Sequence, residues 1–97
     1  MQTYLILGAV FICMEVTVLH DTSKKVEKIL CDEAEAGYLI YEISSKTLDI
    51  QHTVIYPAFR GQGLGRILVD NIIEYAKKEG LTIISSCSYA NLVLGEK

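Results

Sequence analysis

Between residues 48 and 55 apolar and polar side chains alternate, with Leu48, Ile50, His52 and Val54 on one side of an extended chain and Asp49, Gln51, Thr53 and Ile55 on the other. A two-residue period over this length predicts a half-buried strand with His52 on the mostly apolar face. Pro57 ends it, because proline has no N–H to donate and biases Tyr56 toward an extended conformation. Residues 15–20 show the same period, with Val16 and Val18 on one face, and Asp21, Thr22 and Ser23 behind them supply turn chemistry. Residues 26–31 read as a less regular strand, 32–37 as an acidic turn, and 38–43 as a strand rich in aromatic and aliphatic residues whose hairpin closes over 44–47.

The period changes at residue 64. Leu64, Leu68, Val69, Ile72, Ile73 and Ala76 share one side of a helical wheel, and Arg66, Asp70, Glu74 and Lys77 share the other, which predicts an amphipathic helix over 64–79. Lys77 and Lys78 complement its negative pole, and Gly80 suits a left-handed C-cap. Residues 82–86 form a short apolar strand, so the unit is a strand-helix-strand crossover whose two strands run parallel in the right-handed sense. The expected architecture is α/β (α+β): a mixed, mostly antiparallel sheet with one major helix in a β-α-β crossover.

A chain of 97 residues has room for one core. Hydrophobic residues make up 51% and charged ones 22%, as in folded globular proteins. The formal charge is −3 with no long basic run, so the field that nucleic-acid binders use is missing. Cys13, Cys31 and Cys87 are odd in number and far apart, suggesting neither a disulfide framework nor a paired-cysteine zinc site. Cys13 and Cys31 are read as small buried hydrophobes, and a reducing, cytoplasmic compartment is expected. Residues 4–14 are strongly apolar but too short to span a membrane, and they lack the basic start and cleavage site of a secretory signal. Residues 1–13 are therefore an N-terminal extension or strand, or an upstream addition to a domain of 14–97 that starts at Met14. That stretch also offers a surface for pairing with another copy, while the oligomeric state stays open.

Between the strand ending near Tyr56 and the helix opening near Leu64 lies Arg60-Gly61-Gln62-Gly63-Leu64-Gly65, with three glycines in five residues. Glycines there let backbone approach a ligand and turn N–H groups inward, and the helix dipole adds partial positive charge at the same point. The geometry suits a diphosphate; a glycine-rich turn serving only tight packing is the competing reading. A Walker-type loop is excluded, because no Gly-Lys-Ser or Gly-Lys-Thr follows. A dinucleotide fold is excluded because its glycine motif follows the first strand, whereas about sixty residues precede this one.

The segment 49–65 resembles the signature of the GNAT superfamily of N-acetyltransferases, in which an Arg or Gln, two residues, a Gly, one residue and a Gly or Ala follow a central strand. Arg60, Gly63 and Gly65 match those positions, and Pro57 and Phe59 stand where the family has a proline and an aromatic. His52-Thr53 and Cys87-Ser88-Tyr89-Ala90 extend the resemblance to the very small, single-domain branch and to residues 14–91. The resemblance implies acetyl-CoA as cosubstrate, its pantetheine arm pairing with backbone near Ile55 and Tyr56. It also implies that the pyrophosphate is held at Arg60, Gly61, Gln62, Gly63, Leu64 and Gly65. The helices that shape the acceptor site in larger members have no counterpart between His20 and Tyr38, and their C-terminal helix with its tyrosine acid is missing or replaced by Tyr89 and a short tail.

Acetyl transfer to an amine requires a deprotonated amine held close to the thioester, so positioning and one general base suffice, while a covalent route requires a thiolate. Cys87, ending the strand parallel to the one that carries His52, is either such a nucleophile or a buried hydrophobe. His52 is either a structural histidine or the base. Asp49, eleven residues before Arg60, stands at the spacing of a glutamate base in some histone acetyltransferases of the superfamily, subject to any bulge that shifts the register. Tyr89 is an acid for the CoA thiolate or a packing residue. The expected function is transfer of acetyl from acetyl-CoA to an amine, with a non-catalytic acyl-CoA-binding module as the alternative. No metal, nucleic acid or membrane partner is expected.

Overall fold

The computed structural model of the chain describes residues 2–5 and 13–85. Six strands form one sheet in chain order: β1 (Gln2–Leu5), β2 (Glu15–Asp21), β3 (Val26–Cys31), β4 (Ala34–Ser44), β5 (Thr47–Ile55) and β6 (Thr82–Ser85). The first five are antiparallel neighbours, and β6 runs parallel to β5. Parallel strands need a crossover, and α1 (Leu64–Lys78) supplies it. The mixed, mostly antiparallel sheet with one helix in a β-α-β unit is the architecture expected from the periodicities. Gln2–Leu5, within the apolar N-terminal stretch, pairs with β2 from Val18 to Glu15.

Local chemistry sets the hairpins. The Asp21 carboxylate accepts the Ser23 N–H (3.0 Å), the Ser23 hydroxyl (2.7 Å) and the Lys24 N–H (3.1 Å), closing the turn after β2 as an Asx-type motif. Two-residue turns with left-handed backbone, Asp32-Glu33 and Ser45-Lys46, join β3 to β4 and β4 to β5 and match the twist of the strands they connect. The acidic turn expected over residues 32–37 is therefore shorter, and β4 begins at Ala34. Its charged residue Glu35 lies on the exposed surface, where it pairs with Lys28 at 3.5 Å, while Ala36 and Gly37 are buried.

The helix buries Leu64, Leu68, Val69, Ile72, Ile73 and Ala76 against Ile29, Leu39, Tyr41, Leu48 and Ile50 of the sheet. Its end is a Schellman motif: Gly80 N–H donates to Lys77 C=O (3.2 Å) and Leu81 N–H to Ala76 C=O (2.8 Å). One charged side chain shares this core. Glu27 of β3 is 0% exposed; one oxygen accepts a hydrogen bond from Asn71 of α1, and the other has no partner among the described residues. Beside it His20 Nε2 and the Tyr41 hydroxyl share a 2.6 Å hydrogen bond, and the His20 ring meets Tyr75 edge-on at 4.5 Å.

Two expectations are corrected. In β5 the alternation does not run through: Tyr41 pairs with Ile50 but Ile40 pairs with His52, so Gln51 is an extra residue. A bulge of one residue reverses which face the following side chains take. Leu48 and Ile50 are buried under α1, whereas His52 is exposed on the opposite face. Second, Cys13 and Cys31 are not separate buried hydrophobes but a disulfide, with Cα atoms 5.2 Å apart. They stand 18 positions apart in sequence, but Cys13 stands just before β2 and Cys31 ends β3, where it faces Val16. The cysteine argument for a reducing, cytoplasmic setting falls with that pairing.

Candidate functional site

The site is built where β5 ends and α1 begins. Tyr56 N–H still bonds to Ala36 C=O (2.8 Å), and a short 3-10 turn, Pro57–Phe59, then lifts the chain away from the sheet. Arg60 Nε donates to Ile55 C=O at 2.9 Å, drawing the loop back against the strand it has just left. Gly61 and Gly63 have φ of 86° and 76°, a region that L side chains avoid.

Gly63 is the N-cap of α1, and no side chain caps it. The first helical hydrogen bond runs from Ile67 N–H to Gly63 C=O (3.2 Å), so the N–H groups of Leu64, Gly65 and Arg66 precede any intrahelical partner. They sit at the positive pole of the helix. A Cβ added at Gly61 or Gly63 would meet nothing within 4 Å. The start of α1, which no side chain caps, thus lies beside free space at Gly61 and Gly63, the arrangement that accepts phosphate oxygens.

That space is a cavity of about 400 Å³ lined by Thr53, Val54, Ile55, Phe59, Arg60, Gly61, Gly63, Leu64 and Gly65. It brings together six of the eight residues assigned to the cofactor from the sequence. The other two turn elsewhere. The Tyr56 hydroxyl donates to Glu35; this bond pushes the phenol pKa up and holds the Glu35 carboxyl below its usual range. Gln62 points its side chain at Cys13 and Phe59. Thr53, whose hydroxyl is buried without a partner among the described residues, and Val54 are additions to the lining. Strict alternation would put Thr53 on the polar face, and the bulge at Gln51 turns it to the helix side.

Along β5, pairing with β6 reaches only Ile50 and Ser85, while β5 continues to Ile55. Among the described residues no strand takes the β6-side edge of residues 51–55. An extended ligand arm fits beside such an edge by main-chain pairing. His52 stands on the same stretch, on the face away from α1. Cys87 and Tyr89 lie outside the described residues. No group of three His, Cys, Asp or Glu side chains suited to a metal occurs among the described residues, and no described helix is long and apolar enough to cross a membrane.

A bulged central strand, a strand edge beyond the bulge that is unpaired among the described residues, and a glycine loop feeding an uncapped helix form a site suited to a phosphate-bearing ligand with an extended arm. Comparison with known proteins agrees. Residues 27–97 match the family model of the GCN5-related N-acetyl-transferases. Protein NATD1 of Xenopus tropicalis is 29% identical over 76 residues, which are 76% of this chain and 70% of that protein. The NMR structure of a GCN5-like protein from Staphylococcus aureus superposes with a TM-score of 0.66 at 24% identity, covering 82% of this chain and 78% of the other. The PaiA N-acetyltransferase of Thermoplasma acidophilum, solved in complex with coenzyme A, gives 0.56 at 16% identity over 58% of this chain and 35% of its own. The chain belongs to the GCN5-related N-acetyltransferase family.

Proposed function

We propose that this domain binds acetyl-CoA through the loop 60–65 and transfers its acetyl group to an amine. The observation that carries the reading is the uncapped start of α1 opening onto free space at Gly61 and Gly63. In this reading the N–H groups of Gly61 to Gly65 hold the pyrophosphate, Arg60 keeps the loop against Ile55, and the pantetheine arm lies along residues 51–55. The amine nitrogen attacks the thioester carbonyl, the C–N bond forms as the C–S bond breaks, the amine proton passes to a base, and the CoA thiolate takes up a proton. His52, exposed on the face that the bulge gives it, serves as the base directly or through water. Cys87 and Tyr89 are proposed as the thiol of a covalent route and as the acid for the thiolate.

A non-catalytic acyl-CoA-binding module is the second reading. It is favoured by one observation: α1 is the one α-helix among the described residues, so no second helix there shapes an acceptor pocket. Calorimetric titration with acetyl-CoA, free CoA and ATP tests the binding half. Saturable binding of the CoA forms alone, lost in Gly63→Val, supports the loop assignment, and retained affinity in the folded variant contradicts it. Thiol release with a panel of amines then separates enzyme from binding module.

A further inference from the structure

Gln62 is the one residue between the two left-handed glycines of the loop, yet its side chain takes no part in lining the cavity. It points instead to the segment just ahead of β2 and to the turn behind it. Its Oε1 accepts the Cys13 N–H at 3.0 Å and lies 3.3 Å from Cys13 Sγ, and its Nε2 donates to Phe59 C=O at 3.4 Å. Because a disulfide sulfur carries no proton, the main-chain N–H is the donor and the sulfur contact is one of packing. Phe59, Gly61 and Gly63 all line the cavity, so this single amide links Phe59 and the residue between the two glycines to one point, Cys13.

Cys13 lies ahead of β2, and the disulfide fixes it to the end of β3. The next two residues are held separately: the Asp32 carboxylate accepts the Met14 N–H (3.3 Å) and the Glu15 N–H (2.9 Å). Cys13 itself is fully buried and Cys31 nearly so. The anchor under the loop is therefore held by a bond that a reductant can break.

We propose that Gln62 is a positioning residue that couples the ligand loop to the Cys13–Cys31 pair, so that reduction of this disulfide by a dithiol weakens the hold on acetyl-CoA. The dithiol delivers two electrons and two protons, the S–S bond breaks into two thiols, and the dithiol closes to its own disulfide. The Cys13 backbone then loses its covalent restraint to β3, and its link to the loop is left to the Gln62 hydrogen bonds, while Asp32 still holds Met14 and Glu15 and Arg60 still holds the loop to Ile55. The expected effect is the weight of about one hydrogen bond, a roughly three- to tenfold rise in Kd. The proposal rests on the acetyl-CoA reading for its ligand but not for its mechanics.

The test compares oxidised protein, protein reduced with excess dithiothreitol, Cys31→Ala and Gln62→Ala. Two readouts are taken, the Kd for CoA and the amide hydrogen exchange of Gly61, Gly63 and Gly65. Expected is weaker CoA binding with faster loop exchange on reduction and in Cys31→Ala, and a Gln62→Ala variant whose affinity no longer depends on redox state. Equal Kd and equal exchange in both redox states overturn the proposal, as does a redox effect that persists in Gln62→Ala. Should CoA bind in neither state, the acetyl-CoA reading fails, and the exchange of the loop amides still decides the coupling: faster on reduction supports it, unchanged refutes it.

Discussion

Replacing Glu27 by Gln is expected to raise stability above neutral pH and to remove part of its pH dependence. Glu27 has no exposed surface, and burial pushes its carboxyl from 4.5 up to about 7, against a smaller opposing pull from the Asn71 hydrogen bond. The folded state therefore holds this proton more tightly than the unfolded chain does. Between the two values the unfolded chain has released it and the folded protein has not, so stability falls as pH rises through this window and stays lower above it. A gap of that size corresponds to about 3 kcal/mol, at roughly 1.4 kcal/mol per unit. His20, Tyr41, Asn71 and Tyr75 make up the surrounding cluster, and His20 works with the opposite sign. Its pKa is lowered, first by burial, with Asp21 acting the other way, so it withdraws stability as pH falls. The difference between variant and parent isolates Glu27, since Gln keeps an acceptor for Asn71. Urea unfolding from about pH 5 to about pH 8.5 should show curves that converge at the acid end and a variant ahead by about 2–3 kcal/mol at the alkaline end. A parent whose stability holds or rises relative to the variant over that range would refute the reasoning.

Gly37→Ala should lower the thermal midpoint, because the added Cβ falls 2.2 Å from Val54 C=O on the neighbouring strand; a loss of about 1–3 kcal/mol is expected, and an unchanged midpoint would contradict that contact. Leu68→Ala empties a fully buried position under the sheet and should cost about 2–5 kcal/mol in denaturant unfolding. Gly80→Ala forces a Cβ onto a left-handed C′ residue with φ of 68°. About 1–2 kcal/mol should be lost there, with CoA affinity untouched, since the other end of α1 carries the ligand loop.

The helix and the β-α-β unit were legible because their signals are local: a 3.6-residue apolar stripe over 64–79, two lysines and a glycine at its end. The loop was legible for the same reason, as glycine spacing constrains backbone directly. What the sequence concealed depends on pairing between segments. Nothing in residues 48–55 alone tells that Gln51 is looped out, because that requires knowing that Ile40 and Tyr41 face His52 and Ile50. The Cys13–Cys31 bond was hidden likewise, since only the β2–β3 register shortens an 18-residue separation to neighbouring positions. Glu27 sat unremarked in a strand because a charge there reads as solvent-facing until a helix is laid over it. Residues 87 and 89, on which part of the catalytic expectation stood, lie outside the described structure.

The extra residue in β5 makes that strand a counter with odd and even states. Before Gln51, alternate side chains belong to the core; after it the assignment is inverted, so one strand serves two masters while pairing with β4 on both sides of the bulge. Substitutions leave this count alone, and even a drastic one alters a single position. Losing one residue anywhere between Ile50 and His52 would do the reverse: each side chain from His52 to Ile55 would exchange faces at once, carrying the imidazole toward the helix and Thr53 out to solvent. The segment should therefore tolerate changes of identity far better than changes of length.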